Sequence, residues 1–261
     1  MKTIRYQLFI LGIWFMATAS PAFCGKIVES NFPAEPLDAV TVESDFGNVI
    51  VEGTPRNEVS VKLVLEPETQ DLIELECELD GNNLIIRAEG RKNFRLRKYS
   101  GDKAQIIVSV PDGLEFDLKA KWGDIEVRGV SGRVIGKTSR GSISVSSFTG
   151  SLEAEARRGD INLSEIHGTV KAKTQGGFIR VEGYKGEVSA RTFAKGVTIC
   201  AVDTPESNCE LHTNGGEISI VRPRAFSSQP ETGMFEENTE NNIPQKIVLT
   251  WDGNISVESS D

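Results

Sequence analysis

With 261 residues, 38% of them hydrophobic and 26% charged, the chain is long enough to bury a core without covalent staples, and its four cysteines are too few for a disulfide framework. The 29 basic and 38 acidic residues give a net charge of -9, which argues against nucleic acid as a partner. His167 and His212 are the two histidines of the sequence; no His/Cys group has ligand spacing, so neither a metal centre nor a cofactor is expected.

Residues 1–24 read as an export signal, with Lys2 and Arg5 ahead of an apolar stretch from Leu8 to Ala19 and the small residues Ser20-Pro21-Ala22. That stretch is too short for a spanning helix, and no other segment is long and apolar enough to be one. Cleavage fits after Ala22, or after Cys24 with Ala22 three residues from the cut. Cys24 also raises lipid attachment, which favours a small residue where Phe23 stands. Losing Lys2 and Arg5 leaves 27 basic residues, so the exported chain, in the periplasm or at the cell surface, is more acidic still.

Residues 35–120 predict a β-sheet region that leads into residues 121–222 and caps them. Alternating apolar runs at Ala39–Val42, Val59–Val64, Leu72–Leu75, Asn83–Arg87 and Gln105–Val110 are separated by turn signals at Asp80-Gly81-Asn82 and Pro111-Asp112-Gly113. Cys77 is expected as a buried strand residue. Between the fourth and fifth runs, Arg91 to Lys103 carries basic residues and two aromatics in an otherwise acidic chain. Its bland reading is a solvated hairpin; its functional reading is an anion-binding patch in which Arg91, Lys92, Arg95, Arg97 and Lys98 meet acidic glycan or lipid headgroups.

From residue 121 to 222 an 18-residue period takes over. Gly123-Asp124-Ile125, Gly141-Ser142-Ile143, Gly159-Asp160-Ile161 and Gly177-Phe178-Ile179 open four copies. With each Ile as position 1, position 3 is Val127, Val145, Leu163 and Val181, and position 6 is Val130, Phe148, Ile166 and Tyr184. Position 8 is always glycine, and positions 10, 12 and 14 return small or apolar residues such as Leu152, Ala154 and Ala156. Alternation on both sides of a glycine means two short strands and two corners per copy, with the glycines placed for positive φ. The three or four large apolar residues of one copy do not offset the ordering of its backbone, so copies must stack as coils of a β-solenoid. Positions 11 and 13 face outward and alternate in charge, so Glu153 and Glu155 are expected to meet Lys171 and Lys173 across coils.

Val197 and Ile199 continue the period, and Gly216-Glu217-Ile218 restarts it. Cys200 and Cys209 are candidate disulfide partners in an exported protein, although the register puts Cys200 outward at position 4 and Cys209 inward at position 10. Residues 223–245 read as an irregular excursion, and 246–261 as closing strands. Far upstream, Phe46-Gly47-Asn48-Val49-Ile50-Val51-Glu52-Gly53 is an isolated early copy.

The signal, that early copy, the strand end Val108-Ser109-Val110-Pro111 and Trp122-Gly123-Asp124-Ile125-Glu126-Val127 followed by G-x-I-x-V repeats resemble a bacterial family of unknown function called "putative adhesin". The resemblance covers about residues 35–222. It implies a β-solenoid and an adhesin-like role with no catalytic residues to carry over, in line with the all-β fold read from the residues, a β-solenoid of about 18-residue coils preceded by a β-sheet capping region.

Candidate chemistry is sparse. His167 and His212 each lack a nearby Asp-Ser or Cys constellation. Asp124 and Asp160 sit in turns, but Ser142 interrupts the column that calcium would need. Gly132 to Thr138 misses the phosphate-loop motif by one residue and falls in strand register. A polysaccharide-acting enzyme would need paired carboxylates across a groove, and Glu153, Glu155, Glu165 and Glu182 occupy different positions on their coils. Thr138, Thr174 and Thr192 form an inward column, opposite to what an ice-binding face requires. The leading expectation is a non-enzymatic scaffold that meets an envelope protein or glycan; the alternative is a polysaccharide-acting enzyme on a β-helix.

Overall fold

A computed structural model describes residues 26–69, 72–90 and 103–193, and beyond them the strands at 197–202, 208–213, 218–221, 245–249 and 255–259. The described residues are all-β and build a β-solenoid. Each rung contributes one strand to each of two facing sheets, and the strands of successive rungs pair in parallel.

In the first sheet, the central strands are β3 (Asn48–Gly53), β9 (Ile125–Arg128) and the opening halves of β11 (Ile143–Ala156), β12 (Ile161–Thr174) and β13 (Ile179–Thr192), followed by β14 (Val197–Val202) and β16 (Ile218–Val221). In the second, β2 (Ala39–Ser44), β8 (Glu115–Trp122) and β10 (Ser131–Arg140) are followed by the closing halves of β11, β12 and β13 and by β15 (Asn208–Thr213). Ile143 beside Ile161 beside Ile179 shows the 18-residue register.

Positions 1, 3, 6, 10, 12 and 14 face the space between the sheets and fill it: Ile161, Leu163, Ile166, Val170, Ala172 and Thr174 are all buried. The inward threonines are satisfied locally. Thr138, Thr174 and Thr192 donate their hydroxyls to the carbonyls of Gly123, Gly159 and Gly177 at 3.1, 2.8 and 3.0 Å, as buried hydroxyls must. The segment Gly132 to Thr138 lies within β10, paired on both sides.

The copy at 46–53, isolated in the sequence, is not isolated in space. β2 and β3 form a complete rung lying directly beneath β8 and β9, with Ala39 beside Glu115 and Val49 beside Ile125. Beneath that rung lie β6 (Asn83–Gly90) and β7 (Ala104–Val110), both parallel to it. The chain thus lays its second rung first, passes below, and then jumps over it to continue upward. The parallel sheets end here on antiparallel strands: β4 (Glu58–Leu65) against β7 and β1 (Lys26–Pro33) against β4 in one sheet, β5 (Ile73–Asp80) against β6 in the other. At the upper end, β17 (Gln245–Leu249) and β18 (Ile255–Ser259) add antiparallel strands to β15. Cys77 lies on the edge strand β5 and is half-buried rather than buried; burial still pushes its thiol up to about 11.

Close approach to a carbonyl oxygen one rung below holds both glycine columns and positive φ holds only one of them, which corrects the expectation that both serve positive φ. Gly132, Gly150, Gly168 and Gly186 do have φ between +121 and +140. Gly141, Gly159 and Gly177 do not. A Cβ there would overlap the carbonyl oxygen of the glycine one rung below, Gly123, Gly141 and Gly159 in turn, so close backbone approach excludes a side chain.

Candidate functional site

With the interior filled, chemistry is confined to two outer sheet faces and two corner columns. The outer face of the second sheet carries the alternating charges. Glu153 lies beside Lys171 and Glu155 beside Lys173, and Glu155 closes on Lys173 at 3.6 Å. Lower on this face, Glu78, Arg87, Glu43, Lys119 and Asp117 form a chain of contacts at 3.2, 3.4, 3.3 and 2.9 Å. Hydrogen bonding to Glu78 first, then to Glu43, holds the Arg87 pKa above its ordinary value, and Asp117 acts the same way on Lys119. These pairs are exposed and contribute little stability.

The outer face of the first sheet is flat and polar. Ser144, Ser146, Asn162 and Ser164 line a depression of about 320 Å³, with Glu126, Arg180 and Glu182 around it.

One corner column, at positions 5 to 8, reverses direction through left-handed residues: Gly129, Ser147, Glu165 and Gly183, with φ of 62, 54 or 52. Ser147 donates its hydroxyl to Glu165 Oε2 at 2.7 Å, and His167 is exposed nearby.

The other corner holds a ladder. The residue before each first Ile uses its side-chain oxygen to accept the backbone N–H of the equivalent residue one rung up. Asp124 N–H donates to Asn48 Oδ1 at 2.9 Å, Ser142 N–H to Asp124 Oδ1 at 2.7 Å, Asp160 N–H to Ser142 Oγ at 3.3 Å, and Phe178 N–H to Asp160 Oδ1 at 2.8 Å. Ser142, which interrupts a calcium column, fits this ladder because it needs an acceptor and not a charge. No group of three or more metal-ligating residues is gathered among the described residues. We expect Asp160→Ala to cost about 0.5–1.5 kcal/mol through loss of its hydrogen bond from the Phe178 N–H, with Asp160→Asn close to wild type; chemical denaturation of the two variants checks this.

Above and below the ladder, the same corner collects cations and rings. Trp122 and Arg140 share one column in register, with Arg158 one repeat further on, and the Arg140 guanidinium lies 4.0 Å from the Trp122 ring centroid. Arg157, Arg158, Phe178 and Phe193 are exposed. The sequence carried this signal as the 18-residue spacing of Trp122, Arg140 and Arg158, which apolar periodicity does not register.

Of the residues singled out in the sequence, Arg91, Lys92, Arg95, Arg97 and Lys98 lie outside the described residues. Their flanks are placed: Gly90 ends β6 and Ala104 opens β7 at the ladder corner, and Lys103 closes on Glu66 at 2.6 Å. Backbone register sets Cys200 beside Glu182 in the first sheet and Cys209 beside Val188 in the second; their side chains, and so the pairing, lie outside the described residues. The four carboxylates weighed for catalysis are dispersed. Glu153 and Glu155 lie on the second sheet, Glu182 on the first, and Glu165 at the corner opposite the ladder.

A family model described as Toastrack DUF4097 matches residues 37–232. The fold is similar to a "putative adhesin" from Bacteroides fragilis NCTC 9343, with 14% identity over 76% of this chain and 97% of that one and a TM-score of 0.47. It is also similar to a "putative cell adhesion protein" from Clostridium sporogenes ATCC 15579, with 10% identity over 76% and 100% and a TM-score of 0.31. A "putative adhesin" from Parabacteroides distasonis ATCC 8503 has 10% identity over 77% and 95% and a TM-score of 0.30. No curated protein matches.

Proposed function

We propose a function for a chain that belongs to the Toastrack DUF4097 family: an exported, non-enzymatic scaffold, adhesin-like in that its outer surface meets an envelope protein or glycan in the periplasm or at the cell surface. One observation carries the reading. The space between the sheets is filled by side chains such as Val40, Ile86, Leu118 and Ile179, each 0% exposed, so a ligand meets only outer faces and corners. An extended partner suits such a surface; an engulfed small substrate asks for a deep pocket. No helix among the described residues is long and apolar enough to cross a membrane.

The alternative, a polysaccharide-acting enzyme, needs two carboxyl groups flanking one glycosidic bond. The dispersal of Glu153, Glu155, Glu165 and Glu182 weighs against it. Depolymerase assays on the exported chain test the choice: turnover abolished by one carboxylate substitution overturns the scaffold reading.

Within this reading, the segment containing Arg91, Lys92, Arg95, Arg97 and Lys98 attaches the scaffold to anionic envelope material, lipid headgroups above all. Replacing these five residues with Ser should release the chain from anionic liposomes in co-sedimentation without lowering its melting temperature. Wild-type binding should also fade as salt rises, because exposed charges are screened beyond about 8 Å at physiological ionic strength. Salt-independent binding, or no change in the variant, reduces the segment to a solvated hairpin.

A further inference from the structure

We propose that the ladder corner, from Trp122 to Phe193, is a binding ledge for a linear carboxylated polysaccharide; the proposal rests on the scaffold reading and names a partner class for one edge. Going up the rungs, the corner presents Lys121 and Trp122, then Arg140, then Arg157 and Arg158, then Phe178, then Phe193. At about 4.8 Å per rung, these five levels extend along the solenoid axis for about 19 Å.

The cations on this ledge differ in how far they are already engaged. Lys121 closes on Asp45 at 3.4 Å, and on the adjoining sheet face Lys173 closes on Glu155 at 3.6 Å. Arg140, Arg157 and Arg158 have no ion pair among the described residues and are exposed, in a chain of net charge -9. Asp124 and Asp160 share the corner, one oxygen of each accepting the backbone N–H of the next rung, and their two charges are outnumbered by the three arginines.

Arg140 is oriented by its ring contact. The contact places the guanidinium over the indole at 4.0 Å, and its fork of N–H donors suits a carboxylate gripped two at a time. The rings supply the second element. Phe178 and Phe193 are 50% and 40% exposed. Phe193 has the Lys173 ammonium 6.0 Å from its centroid. Carboxylates for the arginines and C–H faces for the rings, repeated along a line, are the chemistry of a uronic-acid polymer. A membrane would favour cations and rings spread over a face, and here they occupy adjacent columns along one corner of the solenoid.

Binding of polygalacturonate to the exported chain at low salt, measured by calorimetry alongside neutral dextran and inorganic polyphosphate, tests the ledge. We expect polygalacturonate to bind and dextran not to. Arg140→Gln/Arg157→Gln/Arg158→Gln should weaken binding by about tenfold or more, the size expected for losing charge-assisted hydrogen bonds, with an unchanged melting temperature. Phe193→Ser should weaken it more modestly, and the five-Ser variant of the 91–98 segment should retain it. Absent binding, binding insensitive to the triple variant, loss confined to the five-Ser variant, or equal binding of polyphosphate overturns the proposal and leaves the scaffold reading standing. New reducing ends in the polygalacturonate samples would instead overturn the scaffold reading itself.

Discussion

Gly150→Ala is expected to destabilise the stack by about 3 kcal/mol or more, by adding strain at a positive φ to overpacking against backbone. Gly150 has φ +140, and an added Cβ would overlap the carbonyl oxygen of Gly132 on the rung below. Neither atom ends a flexible side chain, so relief requires the rungs to separate and the parallel pairing of β10 with β11 to stretch. Gly176→Ala is the control. Its nearest heavy atom would be Arg157 O at 3.7 Å, an ordinary contact, and its melting temperature should stay near that of wild type. Thermal melts by circular dichroism compare them; equal losses would mean that rung contact does not set the glycine column.

Ile161→Asp should unfold the solenoid cooperatively. Ile161 is 0% exposed and sits in register between Ile143 and Ile179, in an interior where no Lys or Arg is buried among the described residues. An unpaired carboxylate there costs several kcal/mol, an amount that exceeds what most single substitutions do. Each rung borrows its stability from the rungs on either side, so the loss should spread along the stack as one transition. Glu155→Ala on the outer face should change stability by less than about 0.5 kcal/mol, because its partner Lys173 is an exposed surface pair at 3.6 Å. Equal effects from the two substitutions would contradict the inward and outward assignment.

The 18-residue period, the six inward positions and the outward charge columns were legible in the sequence because each depends on local alternation. Burial of one face of a strand imposes period 2, and stacking identical coils imposes the longer period. The early copy at 46–53 was legible as a copy for the same reason. Its partner was not. The hydrogen bond from Asp124 to Asn48 spans 76 residues, and no local pattern in either segment says which rung lies beneath which.

What the sequence by itself determined is therefore the unit: two strands, two corners, the columns that face inward, and the need for neighbours. The tertiary structure alone decided the order of stacking at the lower end, where β6 and β7 slide beneath a rung laid down earlier in the chain. It also separated two glycine columns that look alike in the sequence, both set by a carbonyl oxygen one rung away and only one of them by positive φ as well. The side-chain ladder through Asn48, Asp124, Ser142 and Asp160, and the contact of Arg140 with the Trp122 ring on the same corner, belong here too. All four are contacts between rungs. Periodicity records what each residue does within its own coil, whereas contacts along the solenoid axis are set by which backbone lies at hydrogen-bonding distance above and below, and that appears only once the coils are stacked.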